Sequence, residues 1–407
     1  MDRTAPPPLA RELFDLPDDA PLWVMHCAEG PVPRAAAEAV RSFLARETRP
    51  WTLRWREDFL GLPEAVRREA GTLLGVRPED VSLVPTTSAG LATVAQGLRL
   101  GPGDEVVVPL GEFPANAWPW RVLARRGVGV REVPLWDGQQ AGRRAWDGPP
   151  PPADVAPEER LVEAIGPRTR VVAASWVRFQ DGLRLDLGRL AAGCRARGVA
   201  VVIDGIQGAG TLVADLERAG VDAFASGGHK GLLAPQGLGV LWTRAAFRER
   251  LDPPGGWLSV EQATDFARPS TDLDRGFVAD GRALELGVPN LVGAAALERS
   301  LATLNAAGIA RIERHVLDLA GRLLARLARG PWAREAGRLE ALRARGRLGS
   351  IVALHHGGQG PDGLGARLEQ GFRRGIYASV REGYLRIAFH GWHDEADVER
   401  LAGWLED

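Results

Sequence analysis

Short apolar runs alternate with helical patterns between Val81 and Trp242. The runs are rich in β-branched residues and bounded by turn residues, as strands are, whereas the segments between them repeat apolar residues at helical spacing. This alternation is typical of a doubly wound α/β sheet. The predicted strands are Glu105 to Pro109, Val128 to Val133, Arg170 to Val177, Val199 to Asp204, Val221 to Ala225 and Gly239 to Trp242.

The chain beyond Pro289 carries a different pattern. One long helical repeat, from about Leu291 to Leu327, is followed by three short runs typical of antiparallel strands and by a closing helix with acids in its first turn. These elements predict a smaller α+β domain. The three runs are Ser350 to His355, Ile376 to Val380 and Tyr384 to Phe389, and the helix is Asp394 to Leu405.

The length of 407 residues also favours two domains, because it exceeds what one small core needs. Between two predicted strands, the segment from Trp136 to Pro157 contains a run of prolines and little periodicity. It predicts an exposed polar connection without a chemical role.

Charge and cysteine content exclude several classes of protein. With 51 basic and 52 acidic residues, the chain has no net field that would attract nucleic acid or a membrane surface. The two cysteines, Cys27 and Cys194, exclude a disulfide framework and favour a reducing cytoplasm. We expect no signal peptide and no membrane span, since no apolar run is long enough.

A lysine stands in a glycine-rich turn just after a predicted strand. Lys230 lies in the segment from Ala225 to Gly231, and a second apolar strand follows. A surface lysine is the ordinary interpretation of any single lysine. An amine placed between two buried strands instead suggests a Schiff-base nucleophile. The preceding strand supports this interpretation, because it is continuously apolar and ends in Asp204, and such a strand end points into the ligand crevice.

These two segments resemble the fold-type I enzymes of pyridoxal phosphate, in particular the class V aminotransferases and cysteine desulfurases, from about Trp23 to the C-terminus. The resemblance implies a large domain with a mostly parallel seven-stranded sheet between helices and a smaller α+β C-terminal domain. We expect an N-terminal segment over 1–20 that packs on the small domain, the large domain over 21–270 and the small domain over 271–407. It also implies a homodimer with shared active sites.

In this family the strand-end acid pairs with the pyridinium nitrogen, the glutamine three residues later contacts the ring hydroxyl, and the lysine holds the cofactor. The resemblance assigns these roles to Asp204, Gln207 and Lys230. An ionised Asp204 would keep the ring nitrogen protonated, which makes the ring an electron sink for a carbanion at the substrate α-carbon.

Further cofactor contacts follow from the same resemblance. Thr86, Thr87 and Ser88 precede the helical pattern Leu91 to Leu98, where free backbone N–H groups suit a phosphate, although hydroxyl residues there are also ordinary helix caps. His229 and Ser226 would lie on the phosphate side. Phe113 stands where the family stacks a ring on the cofactor, and where desulfurases have histidine, so a proton relay is lost at that face.

The segment from Ser379 to His390 is similar to the family's carboxylate-binding hairpin. An arginine grips a carboxylate through two parallel hydrogen bonds, so Arg386 is the predicted ligand of the substrate carboxylate, with Arg381 in support. A solvated strand face is the alternative, and an unbroken strand would point these arginines to opposite faces. Glu29 and Arg178 are further predicted substrate contacts.

Two positions depart from the family pattern. In the element from Gly281 to Asn290, Val288 replaces the threonine that reaches the neighbouring subunit's phosphate, so only a backbone N–H remains to donate. Phe179 replaces the asparagine of desulfurases, and Gln180 or Arg178 can take over its contact.

The reaction itself stays open among three functions. We expect an aminotransferase acting on an amino acid, with a C–S lyase or amino-acid epimerase as the alternative, and a non-catalytic cofactor-binding regulator as the third. Persulfide chemistry is disfavoured, because the loop from Arg381 to Arg386 has no cysteine; Cys194 is predicted to be core, and Cys27 core or reactive. No metal site is expected, since adjacent His355 and His356 would face opposite ways on a strand.

Overall fold

The computed structural model describes residues 6–17, 20–139, 148–355 and 360–406. Seven strands in these ranges form the central sheet, namely β2 (Val81–Val84), β3 (Glu105–Pro109), β4 (Gly129–Val133), β5 (Thr169–Ser175), β6 (Ala200–Asp204), β7 (Ala223–Gly227) and β8 (Gly239–Thr243). The other described strands are β1 (Leu22–Trp23), β9 (Ile351–His355), β10 (Ile376–Tyr377), β11 (Ser379–Arg381) and β12 (Tyr384–Ala388).

The α-helices of the described ranges surround the central sheet and build the C-terminal region. They are α1 (Arg34–Glu47), α2 (Leu62–Leu74), α3 (Thr87–Gly97), α4 (Pro114–Arg121), α5 (Pro157–Glu163), α6 (Leu187–Arg195), α7 (Leu216–Ala219), α8 (Ala245–Arg248), α9 (Leu291–Ala307), α10 (Ile309–Leu327), α11 (Ala333–Ala344), α12 (Gly360–Arg373) and α13 (Glu395–Glu406). No helix of the described ranges is long and apolar enough to span a membrane.

The central sheet has the strand order β2-β8-β7-β6-β5-β3-β4, and only β8 runs antiparallel to its neighbours. The predicted mostly parallel seven-stranded sheet is therefore confirmed. Side chains alternate between two apolar clusters: on β6, Val201 and Ile203 join one cluster, while Ala200 and Val202 join the other. Because both faces are buried, these strands read as continuous apolar runs in the sequence.

The C-terminal sheet has the order β11-β12-β9 and is antiparallel throughout. The strand predicted from Ile376 to Val380 is instead divided, because β10 pairs in parallel with β1 while β11 begins the hairpin to β12. The N-terminal segment reaches this region, where the Leu9 N–H donates to the Gly391 carbonyl. The division into domains remains a prediction.

Two further expectations about secondary structure are wrong. The single helix predicted from Leu291 to Leu327 is two helices, α9 and α10, because the chain turns at Gly308 with a φ of 82°. The connection after β4 is not wholly exposed: Trp136 and Val155 are buried, and the Trp136 indole N–H donates to the Pro149 carbonyl at 3.0 Å. Residues 140–147 of that connection lie outside the described ranges.

Candidate functional site

The site lies where parallel strands of the central sheet end. Asp204 closes β6, and its Cα partner on β5 is Ser175. The Asp204 side chain is buried, and its Oδ1 accepts from the Ile206 N–H at 3.1 Å. Burial raises the pKa of Asp204 to about 7, helped by the negative charge of Glu112 and opposed by Lys230. A buried carboxylate of this kind favours a cationic partner.

Gln207 follows Asp204 by three positions in the sequence and is also buried. Its Nε2 donates to the Cys27 carbonyl at 3.0 Å, which fixes the orientation of the amide. The other amide atom, Oε1, is buried without a hydrogen-bond partner. A buried acceptor without a partner is unfavourable, so this atom is suited to a donor that a ligand brings.

Lys230 follows the end of β7 and is the single lysine of the sequence. Its backbone is enclosed: a Cβ on Gly30 would lie 2.3 Å from the Lys230 carbonyl oxygen, and one on Gly210 would lie 2.0 Å from that of Gly231. Burial lowers the pKa of the Lys230 amine, although Asp204 opposes the shift. A larger fraction of the amine is therefore neutral, and thus nucleophilic, than in an exposed lysine.

The hydroxyl residues at the start of α3 have different environments. Thr86 is exposed and caps the helix, accepting from the Ala89 N–H at 3.0 Å, and Ser88 is also exposed. Thr87 is buried, and its Oγ1 accepts from the Gly227 N–H at 2.8 Å. This bond joins the start of α3 to the end of β7, so the helix terminus and the Lys230 turn are held together.

Ser226 and His229 flank the glycines before Lys230. Ser226 is fully buried, and its Oγ donates to the Gly227 carbonyl at 3.1 Å. His229 is only partly buried, and burial lowers its pKa. Of the two, only His229 has surface available for a ligand.

An aromatic pair lies between the lysine and the predicted carboxylate ligand. The rings of Phe113 and Phe179 meet edge to face at a centroid distance of 5.0 Å. The Lys230 Nζ lies 5.7 Å from the Phe113 centroid. Phe113 is 38% exposed, so its ring has a free surface beside the amine.

Arg386 is buried on β12 and is held at two of its nitrogen atoms. Nε donates to the Ser379 Oγ at 3.1 Å, and Nη1 donates to the Phe179 carbonyl at 2.7 Å. Burial lowers the pKa of Arg386, and the thiol of Cys27 lies near enough to influence its charge. Among the described residues, Ser379 and Phe179 are the partners of the guanidinium, so Nη2 remains for an anion.

Arg381 and Arg386 lie on the same face of the hairpin. Cross-strand pairing matches Ser379 with Arg386 and Arg381 with Tyr384, and residues that pair directly share a face. The opposite orientation expected from their spacing holds only for an unbroken strand, and the turn at Glu382 and Gly383 reverses it. Arg381 is exposed, so it stands at the rim of the site.

The remaining predicted substrate contacts are placed less favourably. Arg178 is buried and forms an ion pair with Asp181 at 2.9 Å, and its guanidinium lies over the Trp136 ring. Its charge is therefore already neutralised. Glu29 is partly buried, and its Oε2 accepts from the Gln236 Nε2 at 2.9 Å.

The turn that carries Val288 is fixed at both ends. The Glu285 carboxylate bonds to Arg67 at 2.5 Å and to the Leu83 N–H at 2.7 Å, and Asn290 caps α9. Between these anchors Val288 is 40% exposed. The structure thus presents this turn outward.

Sequence reasoning missed two residues that organise the site. Glu112 accepts from the Ser175 N–H at 2.7 Å and from its hydroxyl at 2.5 Å, and thereby joins β5 to the segment of Phe113. Ser379 orients Arg386. Glu112 directly precedes Phe113 in the sequence, whereas the pairing of Ser379 with Arg386 depends on hairpin register.

The described residues contain no group of three or more His, Cys, Asp or Glu that could hold a metal ion. His356 lies outside the described ranges. Cys194 is buried in α6, as predicted, and burial raises the pKa of its thiol to about 12.

Comparisons with known proteins identify the family of this chain. A family model described as aminotransferase class-V matches residues 52–401. The chain is 34% identical to the isopenicillin N epimerase of Streptomyces clavuligerus over 228 residues, which cover 55% of this chain and 54% of that protein. It is 30% identical to the isopenicillin N epimerase of Amycolatopsis lactamdurans over 399 residues, which cover 93% and 92%.

Among solved structures, the chain is similar to C-DES, recorded with glycine covalently linked to its pyridoxal-phosphate cofactor. The TM-score is 0.81 at 22% identity, and the match covers 98% of this chain and 99% of that one. At this identity the likeness concerns the fold.

Proposed function

This chain belongs to the class V aminotransferase family of pyridoxal-phosphate-dependent enzymes, and we propose that it acts at the α-carbon of an amino acid with a free carboxylate, as an aminotransferase. The observation that carries the proposal is a single, partly buried lysine whose charge interacts with both a buried strand-end carboxylate, Asp204, and a buried arginine, Arg386. Lys230 supplies an amine, Asp204 suits a cation and Arg386 suits a carboxylate.

The residues of the site fit the cofactor. Asp204 offers a buried carboxylate for the ring nitrogen, Gln207 an acceptor without a partner for the ring hydroxyl, and Lys230 the amine that holds it. The exposed Thr86 and Ser88 and the partly buried His229 supply donors for its phosphate. When bound, the cofactor supplies an electron sink for the substrate α-carbon.

Lys230 is the proposed proton carrier. Its backbone packs closely against Gly30 and its amine has a lowered pKa, so Nζ can take a proton from the α-carbon and return it. Phe113 has no titratable group, so it can exclude water from the amine but cannot relay a proton.

Arg386 is the proposed carboxylate ligand. Ser379 and the Phe179 carbonyl hold the guanidinium in place, which lowers the entropy lost when an anion binds. Arg381, on the same face at the rim, adds positive charge at the entrance.

A persulfide mechanism is disfavoured by the hairpin. The turn between β11 and β12 consists of Glu382 and Gly383, whose φ values of 47° and 79° close it tightly. A nucleophilic cysteine would need a loop long enough to reach the substrate. No such loop separates these two strands.

We propose a homodimer in which the turn from Gly287 to Asn290 reaches the partner's cofactor phosphate. Leu286 and Val288 are exposed at 71% and 40% on a turn that is anchored at both ends, which supports a buried role in an assembly. A two-fold interface would place two such turns at two sites. The two buried free thiols support a cytoplasmic setting.

A panel of amino acids tests the reaction. In single turnover with purified holo-protein, an aminotransferase yields one oxo acid per site together with the aminated cofactor. Release of thiol or of a pyruvate-like product without the aminated cofactor would instead identify a lyase. If the cofactor binds but no amino acid changes its visible spectrum, the protein is a non-catalytic binder.

Epimerisation is the second candidate, and Cys27 favours it. The Cys27 thiol is buried 3.9 Å from the Ser379 hydroxyl, and it influences the charge of both Lys230 and Arg386. When two groups share the removal and return of the α-proton, inversion requires a proton carrier in addition to Lys230. Loss of optical purity in wild type but not in Cys27→Ala would support this function; oxo acid formation in both would contradict it.

A further inference from the structure

One stretch of chain carries both the buried arginine and a contact to the lysine turn. Arg386 lies on β12, which ends at Ala388, and His390 follows two residues later. The His390 Nε2 lies 3.0 Å from the carbonyl oxygen of Gly231, the residue directly after Lys230.

The proton position on His390 follows from its partners. The Gly231 carbonyl can only accept, so Nε2 carries the proton and donates it. The Gly391 N–H can only donate, and it donates to Nδ1 at 2.7 Å. His390 is therefore a neutral imidazole with both nitrogen atoms bonded to backbone, and it is fully buried.

The surroundings of the His390 ring keep it in this orientation. It stacks on Trp392 with centroids 4.6 Å apart and meets His26 edge to face at 5.2 Å. The His390 N–H donates to the His393 Nδ1 at 2.9 Å, and the other nitrogen of His393 donates to the Trp23 carbonyl.

The lysine turn is equally constrained on its other sides. The Lys230 and Gly231 carbonyls face the backbones of Gly30 and Gly210, where a Cβ would lie only 2.3 Å and 2.0 Å away. The hydrogen bond from His390 thus joins two rigid parts, the end of β12 and the Lys230 turn.

We propose that His390 is a positioning residue that sets the spacing between the Lys230 amine and the Arg386 guanidinium, and so makes the site selective for amines that carry an α-carboxylate. This inference rests on the proposed function, in which one substrate must meet both groups. A displacement of about 1 Å can lower a rate by about 10²-fold, so a single hydrogen bond at this point has a large effect on selectivity.

Two matched substitutions separate this role from general stability. In His390→Gln the amide nitrogen extends about as far as Nε2 and keeps the bond to Gly231. In His390→Asn the shorter amide reaches only the position of Nδ1, so the bond to Gly231 is lost. Both variants are uncharged, polar and smaller than histidine, and Arg386→Gln serves as the reference for complete loss of carboxylate recognition.

The holo-proteins are mixed with aminooxyacetate or with O-methylhydroxylamine, which displace the lysine from the cofactor irrespective of substrate specificity. The ratio of the two rate constants, followed by absorbance, measures the advantage that a carboxylate gives. We expect this ratio to fall at least tenfold in His390→Asn, towards that of Arg386→Gln, and to stay within threefold of wild type in His390→Gln. Equal ratios in the two His390 variants, or equal slowing of both reagents in His390→Asn, would overturn the proposal.

A second measurement needs no cofactor. Lys230 is the single lysine, so competitive acetylation of cofactor-free protein over a range of pH titrates its ε-amine directly. His390→Asn should raise the midpoint towards that of an exposed lysine, and His390→Gln should not. If wild type reacts with neither hydroxylamine reagent, the proposed function fails, while an unchanged midpoint in His390→Asn would count against the positioning role alone.

Discussion

Asp204 and Ser175 are directly paired residues on neighbouring parallel strands, and the pair brings a second carboxylate to the site. Ser175 binds Glu112 through both its backbone N–H and its hydroxyl. Burial raises the pKa of Asp204, and the negative charge of Glu112 raises it further. A cation beside Asp204 is therefore favourable, because it offsets both the cost of burying the carboxylate and the repulsion from Glu112.

Asp204→Asn should retain the cofactor but lose α-proton exchange by about 10²–10³-fold, because the ring nitrogen loses its ionised partner. Exchange of the substrate α-proton with solvent deuterium, followed by NMR, gives the rate. Asp222→Asn is the control, since Asp222 is a partly buried acid that holds the Val201 N–H at the opposite end of the sheet. Near-normal exchange in Asp204→Asn would show that Asp204 is only a strand-end acid.

Purified protein should be yellow, and borohydride should fix one cofactor per chain on Lys230. Since the sequence has no other lysine, peptide mapping distinguishes this residue from the terminal amine without ambiguity. Lys230→Ala should take up no reducible label. A colourless protein, or label found at the terminus alone, would contradict the cofactor assignment.

Gly30→Ala should destabilise the protein by about 1–3 kcal/mol, because its Cβ would lie 2.3 Å from the Lys230 carbonyl oxygen and neither backbone can move freely. Gly337→Ala is the matched control: it lies within α11 with open space around its Cα, and should stabilise the helix by about 0.5–1 kcal/mol. Urea unfolding measures both. Equal effects would mean that the approach to Lys230 is not tight.

Stability should fall below pH 6.5, because burial lowers the pKa of folded His390 to about 3. Between these values the unfolded chain binds the extra proton, so the free energy of unfolding decreases as pH falls, by about 2 kcal/mol at pH 5 from this residue. Above pH 6.5 the residue contributes no slope. Burial also lowers the pKa values of His26 and His393, which face His390. Lys230 lies near His26, and Asp397 lies near His393.

Urea midpoints at pH 7.5 and pH 5 test this dependence. His390→Gln cannot titrate, so its midpoint should change less between the two pH values, while His26 and His393 keep part of the slope. The same change in wild type and variant would exclude His390 as a source of the pH dependence.

The proposed dimer contact depends on the backbone at Val288. Val288→Ala should leave cofactor affinity nearly unchanged, whereas Val288→Pro removes the N–H and should weaken it. Light scattering of the holo-protein during dilution provides the second measurement. A monomer that keeps full activity would rule out shared sites.

The sequence predicted the central strands and the positions of Asp204 at a strand end and of Lys230 in the turn after a strand, because each rests on a local pattern. The roles of these residues toward the cofactor stay predictions that rest on the family resemblance. It did not predict the division at Gly308, since one amphipathic repeat continues across it. It also placed Arg381 and Arg386 on opposite faces, because strand parity holds only where no turn intervenes. Contacts such as His390 with Gly231 join distant segments and leave no periodic signal.

The turn at Glu382 and Gly383 also bears on how this scaffold changes its chemistry. Two residues join β11 to β12, so the chain has no spare length beside Arg386. Loop closure becomes only about 0.6 kcal/mol less favourable with each doubling of length, so an insertion here would cost little stability. Inserting a few residues into this hairpin can therefore bring a new reactive group to an existing pocket.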